Sequence, residues 1–486
     1  MKSKPNIILL ILDTARAQNF SCYGYSKETS INIDRISQEG ILFENAISSS
    51  PWTLPAHASI FTGMYPSIHG CNETHTFLPK NVLTLPVFLK TLGYKTYGVS
   101  SNSWISNDFG FENGFDVFIR VWQLLQHETN LAHPSYRGVN KYKRAIGLLN
   151  QGNITTNIIN GIYGKYFSRK YDYGAKRINR ILARLIRNDF RQNQPFFLFV
   201  NYLEPHLKYK PPDPFIRQFL PKGISKRAAL TVNQDAWRYM GGEISMSLLD
   251  FEILKALYDA EIAYLDFRIG EVYRLLKESK LLDNTVLIIT SDHGENLGEY
   301  NLMDHQYSLY DTLLKIPLIL KLPGVQMRGE RVTHVVESMD IFSTIINVLE
   351  IDKKYMTSKI PGKNLFEKEV NRTVLSEYLA PHPDISTISK LYPNSKFSLY
   401  DKNLIALRTN EWKIIVSSSG ETKLFNIHTD SHEKKDLSST FPEVCKRLEK
   451  KVLEWKKNNW LRDNSKETLN ISPETKKQLE ALGYFM

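Results

Sequence analysis

Two carboxylates and one imidazole in this chain have the types and positions needed for metal-assisted cleavage of an ester. Asp13 comes directly after a strongly apolar run, and Asp292 and His293 come directly after another. Such ligands suit zinc, manganese or, less well, calcium. A divalent cation held beside a hydroxyl group lowers the pKa of that hydroxyl, which can then act as a nucleophile at neutral pH. Taken alone, each aspartate could instead form a turn or cap a helix.

The elements that must position these residues predict an α/β domain. Apolar runs typical of strands buried on both faces alternate with helical patterns, notably at 251–278. The strongest strand candidates are IILLIL (7–12), PFFLFVNYL (195–203), NTVLIITS (284–291) and IPLILKL (316–322). This alternation predicts a mixed, mainly parallel central sheet. Ligands bind beyond the carboxyl ends of such strands, where Asp13, Asp292 and His293 lie.

A change in composition near residue 360 predicts a second, smaller domain. Pro361 and Gly362 are followed by a charged run at 367–372. After that run, short alternating segments and a charged helix at about 441–458 predict an antiparallel sheet with one helix. The predicted organisation is therefore a larger α/β domain at 1–360 and a smaller α+β domain at 361–486. A chain of 486 residues also exceeds the size that one hydrophobic core usually organises.

Much of the net charge of +11 lies in one stretch at about 121–195, which we call the basic insertion. It has 13 lysine and arginine residues against 3 aspartate and glutamate residues. This stretch could attract an anionic partner, such as lipid headgroups, nucleic acid or a polyanionic substrate, or it could simply be solvated. Its last part, 174–190, has an amphipathic helical pattern that fits either peripheral membrane contact or packing on a sheet. Because no nucleic-acid reading module accompanies it, we expect no specific nucleic-acid binding.

Signals for targeting and for disulfide bonding are weak. No apolar stretch reaches the roughly 18–20 residues that cross a bilayer. The N-terminal apolar run is too short for a secretion signal and lacks a cleavage site. The three cysteines, Cys22, Cys71 and Cys445, provide neither a disulfide framework nor a metal cluster. We therefore expect a cytoplasmic protein.

Four segments follow one another in an order and approximate spacing that suggest a family. They are PNIILLILDTAR (5–16), SSPWTLPAHASIFTGMYPSIHG (49–70), PFFLFVNYLEPHLKYKPP (195–212) and LIITSDHGENLGEYNLMDHQYSLYDTLLKIPLIL (287–320). The first, second and fourth resemble the signature blocks of the sulfatase family, a branch of the alkaline phosphatase superfamily. The third resembles that family's histidine-bearing strand and loop. The resemblance implies an α/β sandwich of the sulfatase type with a smaller C-terminal α+β domain.

The resemblance also implies a metal site and a nucleophile. It places Asp13, Thr53, Asp292 and His293 around one divalent metal ion, either manganese, zinc or calcium. Thr53 stands where family members carry the attacking residue. The alternative for Thr53 is a structural role, as the cap of the helix that follows it. In the functional interpretation, a metal-bound Thr53 attacks an anionic ester substrate.

Three histidines match family positions around the transferred group. His206 and His305 are placed where an imidazole can hydrogen-bond the oxygens of that group or protonate the leaving oxygen. His305 stands where many sulfatases have a lysine, which makes the charge at that point depend on pH. His57 stands at the family's arginine position and could orient Thr53 or contact an oxygen. For His206 and His305 the alternative is a structural histidine that is satisfied by loop backbone.

The nucleophile block departs from the typical family pattern, and the departure bears on the substrate. Typical sulfatases carry a cysteine or serine that is oxidised to formylglycine, within a C/S-x-P-x-R sequence. Here the block reads Thr53-Leu54-Pro55-Ala56-His57. Threonine cannot undergo that oxidation, so no formylglycine is expected. A sulfated threonine then lacks the exit that an aldehyde hydrate provides, and water must displace the group instead. Phosphorus tolerates this second displacement well, which favours phosphoesters or phosphonates.

These observations predict a metal-dependent hydrolase of sulfate or phosphate esters, with phosphoesters or phosphonates preferred. Two alternatives remain at this point. One is a transferase of the phosphoethanolamine or phosphoglycerol type that uses the same threonine. The other is a catalytically inactive binding protein with this fold. The sequence alone does not fix the substrate, the identity of the metal or the oligomeric state, because specificity depends on the shapes of loops.

Overall fold

A computed structural model describes residues 4–126, 155–156, 159–160, 163, 172–190, 194–324, 328–351, 360–369, 371–393 and 395–460. The strands are β1 (Asn6–Leu12), β2 (Ile41–Phe43), β3 (Ala46–Ile47), β4 (Lys95–Ser100), β5 (Val117–Arg120), β6 (Phe196–Tyr202), β7 (Thr285–Thr290), β8 (Asn296–Leu297), β9 (Met303–Asp304), β10 (Lys315–Ile316), β11 (Leu318–Lys321), β12 (Glu330–Val332), β13 (Val336–Glu337), β14 (Val374–Tyr378), β15 (Leu404–Arg408), β16 (Trp412–Ser417) and β17 (Thr422–Asn426). The helices are α1 (Ile31–Gln38), α2 (Thr53–Thr62), α3 (Pro66–His69), α4 (Leu85–Thr91), α5 (Ala175–Asn188), α6 (Phe215–Phe219), α7 (Lys226–Ala229), α8 (Ala236–Met240), α9 (Leu248–Glu278), α10 (Asp311–Leu314), α11 (Asp340–Val348), α12 (Ile385–Leu391) and α13 (Pro442–Asn459).

The central sheet has eight strands in the order β12-β2-β11-β7-β1-β6-β4-β5. Strand β1 pairs in parallel with both β6 and β7, while β11 runs antiparallel to its neighbours β7 and β2. The predicted mixed, mainly parallel sheet is thus confirmed. All seven residues of β1 and of β6 are buried, as their unbroken apolar sequences require for strands covered on both faces.

The order of the strands explains why residues far apart in sequence meet. Strands β7, β1 and β6 are adjacent and parallel, so their carboxyl ends lie side by side at one edge of the sheet. Asp13 follows β1, Asp292 follows β7, and the loop carrying His206 follows β6. The chain therefore gathers these side chains at the edge where ligands of parallel α/β sheets bind.

Helix α9 supports this sheet and begins with a strong local signal. Ser247 accepts a hydrogen bond from the backbone N–H of Asp250, and the Asp250 carboxylate accepts one from the backbone N–H of Ser247. This reciprocal capping box satisfies two backbone donors that the first helical turn leaves unpaired. The helix predicted at 251–278 is confirmed, with its start three residues earlier, at Leu248.

The smaller C-terminal part contains the predicted antiparallel sheet and the predicted long helix, and among its described residues it also has a short helix, α12, that the sequence did not predict. Strands β14 to β17 pair antiparallel in sequence order, and α13 covers them. The buried side chains between the sheet and the helix include Ile414, Leu424, Leu448 and Val452. The predicted boundary between 360 and 361 stays a prediction, because β14 begins only at Val374.

The last part of the basic insertion is a packed helix. In α5 the residues Ile178, Leu182, Leu185 and Ile186 are buried, and the Asn179 side chain donates a hydrogen bond to the Arg268 carbonyl on α9. The apolar face of α5 is therefore covered by the protein. Of the two alternatives, this is packing against the rest of the domain, and the buried face does not contact a membrane. Most of 127–171 lies outside the described residues. Among the described residues, none of the helices is both long and apolar enough to span a membrane.

Candidate active site

Three predicted metal ligands converge in the interior, at the carboxyl edge of the sheet. Asp13, Asp292 and His293 are fully buried, and one ligand atom from each lies within 4.8 Å of the others. His293 Nε2 is 3.4 Å from Asp292 Oδ2. His293 Nδ1 donates a hydrogen bond to the Gly294 carbonyl at 2.9 Å, which fixes the ring so that Nε2 faces Thr53. This is the neutral tautomer that a metal-ligating histidine needs.

The side chain of Thr53 points towards these ligands. Its Oγ1 lies 3.4 Å from His293 Nε2, and the residue is completely buried. Helix α2 begins at Thr53, while its N-cap is Trp52, which has no side-chain capping bond. The alternative in which Thr53 caps the helix is therefore wrong. Because the hydroxyl sits in the first turn of a ten-residue helix, the helix N-terminus also favours an approaching anion.

The buried carboxylates are incompletely satisfied by the protein itself. Within the described part of the chain, no donor hydrogen-bonds to Asp13 Oδ1 or to Asp292 Oδ2. Burial, and then the neighbouring Asp292, raises the pKa of Asp13, and burial likewise raises the pKa of Asp292. Two buried anions with unsatisfied oxygens and a neutral imidazole are a donor set that a divalent cation would complete. The residues present thus fit a bound metal.

Two asparagines hold the first of these carboxylates in place. Asn102 Nδ2 donates to Asp13 Oδ2 at 2.6 Å, and Asn201 Nδ2 lies 3.4 Å from the same oxygen. Partners of this kind orient metal ligands. Sequence reasoning missed both residues. Asn201 lies within the apolar strand β6, and its position there gives no sign of a contact with Asp13. Asn102 follows β4, whose lysine, threonine and glycine are not typical of a buried strand.

His57 lies behind Thr53, on the same helix. Its Nδ1 donates a hydrogen bond to the Thr53 carbonyl at 2.9 Å and lies 3.3 Å from Asp292 Oδ2. Asn201 Nδ2 approaches its Nε2 at 3.4 Å. Of the two roles predicted for His57, these contacts favour orientation of Thr53.

His206 and His305 form one wall of the site. The ring centroids of His206 and His305 are 5.2 Å apart, and those of His293 and His305 are 4.6 Å apart. His206 Nδ1 donates to the Leu207 carbonyl at 2.6 Å, and His305 Nδ1 lies 2.6 Å from Asp304 Oδ1. Both histidines thus lie beside the candidate metal ligands. Their catalytic roles stay predictions.

The loop that carries His206 is anchored by a buried acid, Glu204. Its Oε1 accepts hydrogen bonds from the backbone N–H groups of Tyr173 and Ala175, at 2.9 and 3.1 Å. Its Oε2 has no hydrogen-bond partner among the described residues. Burial, and then repulsion from Asp172, raises the pKa of Glu204 to about 8.

We expect Glu204→Gln to remove a pH-dependent loss of stability. The raised pKa means that the folded chain keeps a proton that the unfolded chain releases above pH 4.5, so wild-type stability falls as the pH rises from 4.5 to about 8. Glutamine mimics the protonated acid, because its carbonyl can accept both backbone N–H groups. The variant should therefore match wild type near pH 4.5 and exceed it at pH 8 by a few kcal/mol, on the order of 1.4 kcal/mol per pKa unit. Urea unfolding at both pH values measures the difference, and an unchanged difference would contradict the expectation.

The C-terminal part also reaches the site, which the sequence did not predict. The ring of His382, in the loop after β14, stacks on Trp52 at a centroid distance of 4.5 Å. Trp52 Nε1 donates to Glu73 Oε1 at 2.8 Å, and the backbone N–H of Leu379 donates to Glu73 Oε2 at 2.9 Å. Trp52, the residue just before Thr53, is thus held between the two parts of the chain.

A second group of potential metal ligands lies beside the first. One ligand atom each from Glu295, Asp304 and His305 falls within 4.8 Å of the others. The sequence analysis predicted one metal ion, and Glu295 and Asp304 were not among its predicted ligands. Strands β8 and β9 pair antiparallel, with Asn296 opposite Asp304, and this hairpin brings Glu295 next to His305. The signal that could have found the group is the pair of acids flanking a turn.

Comparisons with known proteins show similarity over most of the chain. The family model described as Sulfatase matches residues 5–351. The uncharacterized sulfatase YidJ of Escherichia coli (strain K12) is 25% identical over 395 residues, which cover 77% of this chain and 73% of that protein. The phosphonate monoester hydrolase of Agrobacterium radiobacter superposes with a TM-score of 0.70 at 20% identity, over 94% of this chain and 96% of that chain. BT4656, solved in complex with its substrate D-glucosamine-2-N,6-O-disulfate, superposes with a TM-score of 0.67 at 20% identity, over 96% and 100% of the two chains. Both structures share the fold.

Proposed function

The chain belongs to the sulfatase family of ester hydrolases, and from that premise we propose that it cleaves phosphate or phosphonate esters in preference to sulfate esters, with Thr53 as the nucleophile. The observation that carries the proposal is the position of Thr53 Oγ1, 3.4 Å from His293 Nε2 and beside two buried aspartates. A hydroxyl that only stabilised the helix would not need an imidazole and two buried carboxylates beside it.

The residues that would hold the metal ion are Asp13, Thr53, Asp292 and His293. When bound there, a divalent cation lowers the pKa of the threonine hydroxyl and offsets the negative charge that develops on the transferred group. Asn102 and Asn201 orient the Asp13 carboxylate. His57 orients Thr53 through the carbonyl of that residue.

The chain's own residues account for the two halves of the reaction. In the first half, Thr53 Oγ1, which has already lost its proton to solvent, forms a bond to phosphorus in line with the leaving oxygen, and the bond from phosphorus to that oxygen breaks. His206 or His305 gives a proton to the departing oxygen. In the second half, water attacks the phosphorylated Thr53, and the same histidine accepts a proton from the water. When the bond from Thr53 Oγ1 to phosphorus breaks, the threonine returns to its deprotonated form, and the histidine again carries the proton that it gave up in the first half.

The preference for phosphorus rests on the residue type at position 53. A formylglycine hydrate can expel sulfate by collapsing to an aldehyde, whereas an esterified threonine releases its group only by a second displacement. The two structural neighbours, one a phosphonate monoester hydrolase and the other a complex with a disulfated glucosamine, represent both ester classes. At 20% identity they support the fold and leave the choice of ester to the chemistry of Thr53.

A panel of substrates with one aryl leaving group tests this proposal. We expect kcat/KM for the phosphate monoester, phosphate diester or phosphonate to exceed that for the sulfate by at least about tenfold, a difference of about 1.4 kcal/mol in activation free energy. The assays use chelated protein reloaded with manganese, zinc or calcium, and Thr53→Ala serves as the control for contaminating phosphatase. Turnover confined to the sulfate ester would contradict the preference for phosphorus.

A further inference from the structure

We propose that Glu295, Asp304 and His305 form a second divalent-cation site next to the first. The inference deepens the proposed function and rests on it for the first metal site, at Asp13, Asp292 and His293. The ligand atoms of the second group lie within 4.8 Å of one another, so small movements of the side chains would bring all three to roughly 2.0–2.2 Å from one ion. Two carboxylates and an imidazole suit manganese or zinc.

One buried carboxylate oxygen of this group lacks a partner among the described residues, as expected for an oxygen that binds a cation. Glu295 is completely buried, and its Oε2 has no hydrogen-bond partner within the described residues. Its Oε1 forms a long hydrogen bond of 3.4 Å with His305 Nδ1. A buried carboxylate without partners is costly, and proteins usually pair such a group or use it to bind a metal.

Contacts within the group satisfy only some of its polar atoms. His305 Nδ1 lies 2.6 Å from Asp304 Oδ1, and these two atoms offset each other when no ion is present. This contact leaves Glu295 Oε2 unexplained. The same Nδ1 becomes a ligand atom once its proton is released, as happens when a histidine binds a metal.

The position of the group indicates what a second ion would do in the proposed reaction. His293 of the first site and His305 of the second have ring centroids 4.6 Å apart, so the two sites adjoin. A cation there would provide a positive charge at the position where many sulfatases have a lysine. With His305 engaged, the proton for the leaving oxygen comes from His206, whose ring lies 5.2 Å from that of His305.

Manganese stoichiometry tests the inference without any assay of activity. The chelated protein is reloaded with Mn²⁺, desalted and measured for manganese and protein. We expect two ions per wild-type chain, one per Asp292→Asn chain and one per Asp304→Asn chain. Glu295→Gln provides a second variant of the same site in case Asp304→Asn does not fold. Glu299→Gln is the matched control, because this acid lies in the same segment but pairs with Arg16, and it should keep two ions.

Electron paramagnetic resonance of the same samples adds a readout of proximity. Two adjoining Mn²⁺ ions broaden each other's spectrum, so wild type should show a broadened signal and each single-site variant the sharp lines of an isolated ion. One ion in wild type that Asp292→Asn loses and Asp304→Asn keeps would overturn the second site and leave the first intact. No bound ion in wild type would overturn both. Two ions in wild type with unbroadened lines would also overturn the second site.

Discussion

Thr53→Ala is expected to lower kcat/KM for the preferred ester by about 10⁴-fold or more, because it removes the only group proposed to bond to phosphorus. The Thr53 hydroxyl is fully buried beside His293. A water molecule could take the place of this hydroxyl only if the surrounding side chains moved. The fold should survive, since the side chain does not cap α2 and the helix keeps its backbone bonds. Steady-state kinetics and thermal unfolding on the same preparation measure both effects.

Two matched variants separate the loss of a nucleophile from the loss of a hydroxyl in general. Thr53→Ser keeps an attacking oxygen and should retain activity well above that of Thr53→Ala. Thr62→Ala removes the same functional group at the other end of α2, where Oγ1 donates to the Ala58 carbonyl, and should change kcat/KM only slightly. Equal activity of Thr53→Ala and Thr62→Ala would contradict the role assigned to Thr53.

Asp292→Asn is expected to reduce activity by about 10³-fold or more while making the metal-free protein more stable. Oδ1 of this residue accepts hydrogen bonds from the backbone N–H groups of Thr14 and His293, and an asparagine oxygen can accept the same two. The substitution therefore removes the buried negative charge at Oδ2 and keeps the local structure. Because burial raises the pKa of Asp292, its ionisation destabilises the metal-free fold as the pH rises above the value of an unfolded aspartate, near 3.8.

Thermal unfolding at neutral pH, with chelator and with metal, checks this expectation. With chelator, Asp292→Asn should unfold at a higher temperature than wild type. With metal at about a thousand times its dissociation constant, wild type should gain about 4 kcal/mol and become the more stable of the two. A wild-type midpoint that does not respond to metal would contradict the assigned ligand set.

The sequence predicted those parts of the site that lie at the ends of strongly apolar strands. Asp13 and Asp292 follow β1 and β7, whose unbroken apolar runs could be read as buried parallel strands, and the fold then brings their carboxyl ends together. Strands β4 and β5 gave no such signal, because β4 contains lysine and glycine and β5 is only partly buried. Asn102 was missed with β4, although it directly contacts Asp13.

Other features depend on which segments meet in space, and periodicity does not carry that information. The amphipathic pattern of α5 allowed two environments, and only the neighbouring α9 decides between them. His382 comes from the C-terminal part and carried no motif, yet it stacks on the residue before Thr53. Glu295 and His305 are ten residues apart and meet because the hairpin of β8 and β9 reverses the chain.

The stereochemical course at phosphorus tests the central claim most directly. A phosphoester made chiral with oxygen isotopes is hydrolysed in labelled water, and the configuration of the product is compared with that of the substrate. Attack by Thr53 followed by attack of water comprises two in-line displacements, and the account predicts retention of configuration. Inversion would mean that water attacks phosphorus directly, and it would contradict Thr53 as the nucleophile.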